Sequence, residues 1–190
     1  MVHIKRVPEL VERALQVASQ HGFSSSCLDE VGRFLQILGG FKSGAKVAEI
    51  GTGFGVGSAW ILSGMDADST LFTVESDPDR VSAVREMFSG IENVRIIAGD
   101  WKLILRYAPF DYVFVDAKPA KYDEADLVIR SVNLNGFIVL DDFTPMEHWP
   151  DEWKGTQDLV RDKWFNDDRL LCMELRTSEK NSILLARRVK

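Results

Sequence analysis

A chain of 190 residues with a formal net charge of −6 has no surplus of Lys and Arg with which to follow a phosphate backbone, so nucleic acid is disfavoured as a partner. Its two cysteines, Cys27 and Cys172, stand far apart and outside any metal-ligand spacing, which points to free thiols in a reducing, cytoplasmic compartment. No apolar run approaches the roughly 20 residues that span a bilayer, the start Met1–Pro8 has no signal-peptide core, and no repeat or linker divides residues 1–190, so one domain without a membrane segment is expected.

From Pro8 to Gln20 the apolar residues Leu10, Val11, Ala14, Leu15, Val17 and Ala18 recur at helical spacing, with Gly22 as the stop. A second helix follows Ser24-Ser25-Ser26 and carries Leu28, Val31, Phe34, Leu35 and Leu38 on one face, until Gly39-Gly40 ends it. Both are expected to pack on the core as scaffold. Val47-Ala48-Glu49-Ile50 reads as a strand, a glycine turn follows, and Ser58-Ala59-Trp60-Ile61-Leu62 reads as the helix that the turn opens. The next strand, residues 70–74, ends on Glu75, and Asp77-Pro78 then starts a helix with Asp as N-cap and Pro in the first helical position.

The alternation continues with strands at 94–98, 112–115 and 137–140, and helices at 124–131 and 155–164. Continuous apolar strands separated by helices imply a parallel sheet covered on both faces. The final strands, 170–175 and 182–186, are joined by the short polar turn 176–181, too short for a parallel crossover. The expected fold is therefore α/β, a doubly wound, Rossmann-like sheet of seven mostly parallel strands with an antiparallel C-terminal edge.

The turn Gly51-Thr52-Gly53-Phe54-Gly55 fits the dinucleotide fingerprint poorly, because its third position would be Val56 or Ser58. Glu49-x-Gly51-x-Gly53-x-Gly55 instead resembles motif I of the class I S-adenosylmethionine-dependent methyltransferases, and the resemblance runs from about Ser26 to Lys190. It implies a cofactor held by Glu49 and the three glycines, with Glu75 accepting the ribose hydroxyls. It also implies Asp100 against the adenine amino group and Trp101 along the ring; packing in the core is an equal reading for Trp101. A carboxylate at Glu75 fits an NAD enzyme too, so an NAD(P)-dependent oxidoreductase stays as a rival.

Asp116 closes the fourth core strand, and Asp141 and Asp142 close the fifth. In a doubly wound sheet these ends share the edge that carries the glycine turn. Two carboxylates about 4 Å apart repel by roughly 4 kcal/mol at an effective dielectric of 20, so convergence calls for a proton, a Lys or a hard cation such as Mg²⁺. Neighbours in a regular strand face opposite ways, so Asp141 and Asp142 can share a site only if the strand has already ended.

These segments resemble the metal-dependent catechol and caffeoyl-CoA O-methyltransferases, which implies a divalent cation on Asp116, Asp141 and Asp142 and a further cofactor contact from Asp116. Two positions depart from that branch: Asp142 stands where Asn is usual, and Pro119 stands where the branch has its general-base Lys. Lys118 and Lys121 flank Pro119, and His148 follows in a loop rich in Trp and Pro, so these three and Asp116 are the catalytic candidates. The implied activity is O-methylation of a small phenolic or hydroxylated acceptor, and a homodimer is compatible with it. A metal-independent methyltransferase and a non-catalytic cofactor-binding protein remain the alternatives.

Overall fold

The computed structural model describes residues 6–190, so Met1–Lys5, part of the stretch read for a leader, lie outside the described residues. In chain order the elements are α1 (Glu9–Gln20), α2 (Asp29–Gly39), β1 (Lys46–Ile50), α3 (Val56–Leu62), β2 (Thr70–Glu75), α4 (Pro78–Met87) and β3 (Val94–Ala98). There follow β4 (Phe110–Val115), α5 (Lys118–Lys121), α6 (Ala125–Arg130), β5 (Val132–Phe143), α7 (Leu159–Phe165), β6 (Leu170–Arg176) and β7 (Ser182–Arg188). No helix among the described residues is long and apolar enough to cross a membrane.

Among the described residues the strands form one seven-stranded sheet in the order β3-β2-β1-β4-β5-β7-β6. β1 to β5 run parallel, and β7 lies antiparallel to both β5 and β6, as the short turn between the last two strands requires. The chain winds outward from β1 through β2 to β3, then returns to place β4 on the other side of β1. That reversal opens a crevice at the carboxyl ends of β1 and β4, where ligands of doubly wound sheets bind.

Both faces of the sheet are covered. Val47, Tyr112, Phe114 and Val139 pack under α1, α2 and α3, while Ile50, Val113, Val115, Ile138 and Leu140 pack with α6 and with Trp164 of α7. Alternate residues of one strand serve opposite layers, which is why these strands read as unbroken apolar runs. The Asp77 side chain accepts the Asp79 and Arg80 N–H groups at 2.9 and 3.2 Å and starts α4, with Pro78 at its first position, as expected.

Four elements differ from the sequence reading. α7 starts at Leu159 rather than at 155, because the Asp158 side chain caps it through the Val160 and Arg161 N–H groups, and Gly155 has already turned away with a φ of 80°. Residues 101–107 wind into a 3-10 helix, and Lys118–Lys121 form the short α5. β5 starts five residues early, at Val132, and runs through to Phe143.

Candidate active site

The turn after β1 carries Gly51, Gly53 and Gly55 at φ 100°, 55° and 82°, backbone that residues with a Cβ adopt only under strain. Gly51 has a second reason to lack one: a Cβ there would lie 3.2 Å from the backbone carbon of Asp116. The turn is thus pressed against the end of β4, at the crevice. Glu75, at the end of β2, accepts the Gly53 N–H at 2.9 Å and the Ser76 and Asp77 N–H groups at 2.9 and 3.0 Å. Glu49 lies inside, only 1 % exposed, and takes hydrogen bonds from the Ser58 and Thr73 hydroxyls. Burial pushes its carboxyl up to about 7 against the pull of those two donors.

Phe23, Ser25, Ser26 and Cys27 cover the turn and, with Glu49 and Asp116, leave a cleft of only about 30 Å³ above it. A second cavity of about 220 Å³ shares Ser25, Ser26, Cys27 and Asp116 with the first and adds Asp141, Asp142 and Asn181. A third, of about 560 Å³, shares Asp142 with the second and is walled by Tyr122, Phe143, Trp149 and Trp153 together with Lys118, Lys121 and Arg161. The three spaces form a succession from glycine turn to aromatic pocket. The carboxylates are the partition.

Asp116, Asp141 and Asp142 each offer an oxygen, and these oxygens all lie within 4.8 Å of one another. The convergence expected from the sequence is present, but not because the strand ends. Asp142 takes φ 61° inside β5, its N–H turns back to the Asp141 carboxylate at 2.8 Å, and the pairing with β7 slips between Leu140 and Phe143. One left-handed residue in a bulge breaks the alternation and brings two neighbouring side chains to one side. Asn tolerates that conformation as well as Asp does, which gives a backbone reason for Asn at this position in the branch that the sequence resembles.

Burial and the repulsion of Asp142 and Asp141 push the Asp116 carboxyl up to about 9, although Lys121 opposes the shift. Burial likewise pushes Asp141 up to about 6. Lys121 is not a surface lysine: it is 5 % exposed and donates to the Asp141 carbonyl at 3.0 Å. Its Nζ also stands 3.4 Å from Asp142 Oδ2 and 3.8 Å from Asp116 Oδ1.

The other candidates lie further from this junction. Lys118 lines the aromatic pocket with its Nζ over the Tyr122 ring at 5.5 Å. His148 ends a 3-10 turn, Met146–His148, and lines none of the three cavities. Glu75, Gly55, Asp100 and Trp101 also stand outside the three linings. The Asp100 side chain caps the 3-10 helix through the Lys102 N–H at 2.9 Å, and Trp101 is 7 % exposed with its Nε1 donating to Glu124 at 2.7 Å. The packing reading of Trp101 describes these contacts.

The covering segment was hidden in the sequence. The expected helix does follow the serine run, but α2 begins only at Asp29 and leaves Ser25, Ser26 and Cys27, outside any helix or strand, over the glycine turn. Arg161 was missed as well. It is buried, pairs with Asp158 and Glu174, donates to the Thr144 carbonyl at 2.9 Å and faces the Phe143 and Trp149 rings, so it fixes the wall of the aromatic pocket.

The sequence and the fold are both shared with known proteins. A protein of Mycobacterium ulcerans, named provisionally as an O-methyltransferase, is 38 % identical over 120 residues, which cover 58 % of this chain and 53 % of that one. The chain thus spans about half the length of the curated relatives it matches. Among solved structures, an O-methyltransferase of Bacillus cereus in complex with S-adenosylhomocysteine is 19 % identical with a TM-score of 0.81, over 98 % of this chain and 93 % of that one. TomG of Streptomyces achromogenes, an O-methyltransferase in complex with S-adenosylmethionine, is also 19 % identical, with a TM-score of 0.82 over 99 % and 93 % of the two chains. The family described as "Methyltransferase domain" matches residues 48–143, a span that holds the glycine turn, the ends of β2 and β4 and all three aspartates, and the chain belongs to that family, within the class I methyltransferases.

Proposed function

We propose that the chain binds S-adenosylmethionine over the glycine turn and transfers its methyl group to an oxygen of a small, flat, hydroxylated acceptor in the aromatic pocket. The observation that carries this reading is the partition: Asp142 borders both the acceptor side and the glycine-turn side, and Asp116 joins the two spaces nearer the turn. Transfer is an in-line displacement, so the acceptor oxygen must lie about 3 Å from the methyl carbon and in line with the breaking bond. Trp149 and Trp153, edge to face at 6.2 Å between ring centres, offer a flat acceptor an aromatic surface on which to settle.

A phenol has an ordinary pKa of about 10, and a fixed positive charge at the partition favours its anion at neutral pH. The donor set fits a divalent cation, with three carboxylate oxygens of the hard type on Asp116, Asp141 and Asp142. Such an ion, when bound, would act as a Lewis acid on the acceptor oxygen. The metal-independent reading has its own support, since the Lys121 ammonium already stands among these carboxylates.

Calorimetry with S-adenosylhomocysteine and with NAD⁺ tests the cofactor. Binding of the first at micromolar concentration and none of the second is expected, and the reverse would reject the reading. Because Glu75 holds the Gly53 N–H of the glycine turn and the resemblance assigns it the ribose hydroxyls, Glu75→Ala is expected to weaken S-adenosylhomocysteine roughly tenfold. A panel of catechols and phenols with isotopically labelled methyl donor then tests turnover. Cofactor binding with no product on any of them would leave a binding protein.

A further inference from the structure

We infer that Lys121 is an internal cation that competes with the divalent ion for the three aspartates, so that the partition is closed either by the lysine or by the metal. The inference rests on the metal reading of these aspartates and concerns what that ion must displace. α5 is four residues long, and the Trp164 Nε1 fixes its end by donating to the Lys121 carbonyl at 2.9 Å. The backbone is anchored there. The side chain is not, beyond its three polar contacts: the Asp141 carbonyl at 3.0 Å, Asp142 at 3.4 Å and Asp116 at 3.8 Å.

Those contacts include two of the three carboxylates that a metal would need. A divalent ion about 2.0–2.6 Å from those oxygens would lie within roughly 6 Å of an ammonium at its present place, and the repulsion between the two positive charges would drive the lysine away. The displaced group has somewhere to go. Lys121 also lines the 560 Å³ aromatic pocket, so metal loading would deliver its ammonium to the acceptor side of the partition. Pro119 makes this arrangement different from the branch pattern, in which the lysine stands three residues after the aspartate rather than five.

The test uses the full chain without cofactor and Mn²⁺ alone, with free ion followed by its electron paramagnetic resonance signal. Lys121→Met, which keeps the length and apolar stem of the side chain, is expected to bind Mn²⁺ at least about tenfold more tightly than the parent. Adding Asp116→Asn to that variant should abolish the gain. In the parent chain, Mn²⁺ should raise the rate at which an amine-reactive acylating reagent labels Lys121, read by mass spectrometry. Equal Mn²⁺ affinity of parent and Lys121→Met would overturn the competition and leave the metal reading standing. Failure of both to bind would overturn the two together. If Lys121→Met does not fold, the labelling decides alone, and labelling unchanged by bound Mn²⁺ overturns the inference.

Discussion

Gly64→Ala is expected to cost the fold more than about 3 kcal/mol, measured as a fall in the urea midpoint at unchanged slope. Gly64 follows α3, and a Cβ there would lie 1.8 Å from the Gln36 carbonyl oxygen and 2.7 Å from its carbon, both backbone atoms of α2. No rotamer relieves such a clash. The helices can only part, and the contact is tight along its length: Gly32 lies flat on the Trp60 indole, and Gly39 meets the Ile61 carbonyl, where added Cβ atoms would come within 2.2 and 2.6 Å. Parting α2 from α3 would uncover Trp60, which is fully buried and carries the Arg33 guanidinium over its ring at 5.4 Å. Because α2 is also the far anchor of the segment over the glycine turn, the same variant should lose cofactor affinity under conditions where it is still folded. Wild-type stability for Gly64→Ala would show that the two helices are not held by backbone contact.

Stability should also fall as pH rises from about 4.5 to 7, with Glu49 as one identifiable cause. Its folded pKa of about 7 exceeds its ordinary 4.5, so in that window the native chain retains a proton that the unfolded chain has released. The contribution is fully present below 4.5 and is lost as pH rises through 7; a shift of that size corresponds to about 3 kcal/mol. Asp116 and Asp141 are shifted upward as well and tilt the profile in the same direction. Glu49→Gln isolates the first share: between pH 4 and pH 8 its stability relative to the parent should rise by about 3 kcal/mol. Parallel profiles for the two proteins would reject Glu49 as a source of the slope.

Much of the fold could be read before any coordinates because its signals are local. Asp77-Pro78 names its own helix start, and the glycines of the turn are needed where they stand whatever packs around them. The chain order of apolar strands fixed the parallel body, and the short turn at 176–181 fixed the antiparallel edge. The site was legible as a list of residues but not as a geometry. Asp141 and Asp142 share a side through a left-handed residue inside the strand rather than through the strand's end, and although Asp tolerates that conformation, its presence in a strand does not by itself announce it. The burial of Lys121 has no local signature, because its backbone is held by the Trp164 indole of α7, more than forty positions further on. The stretch over the turn is hidden for a similar reason: how far beyond the serines the helix starts depends on where the tertiary packing lets α2 begin.

The bulge in β5 has a mechanical consequence. From Phe137 to Leu140, and again at Phe143, β5 is paired with β7, but between Leu140 and Phe143 that ladder is interrupted, and side chains take up the backbone groups instead. The Asp141 carbonyl is held by Lys121, and the Asp142 N–H by the Asp141 carboxylate. The floor of the partition is therefore fastened to its own charges rather than to the neighbouring strand. If Lys121 and a divalent ion exchange there as proposed, two residues of main chain can rearrange while the paired residues on either side keep their register.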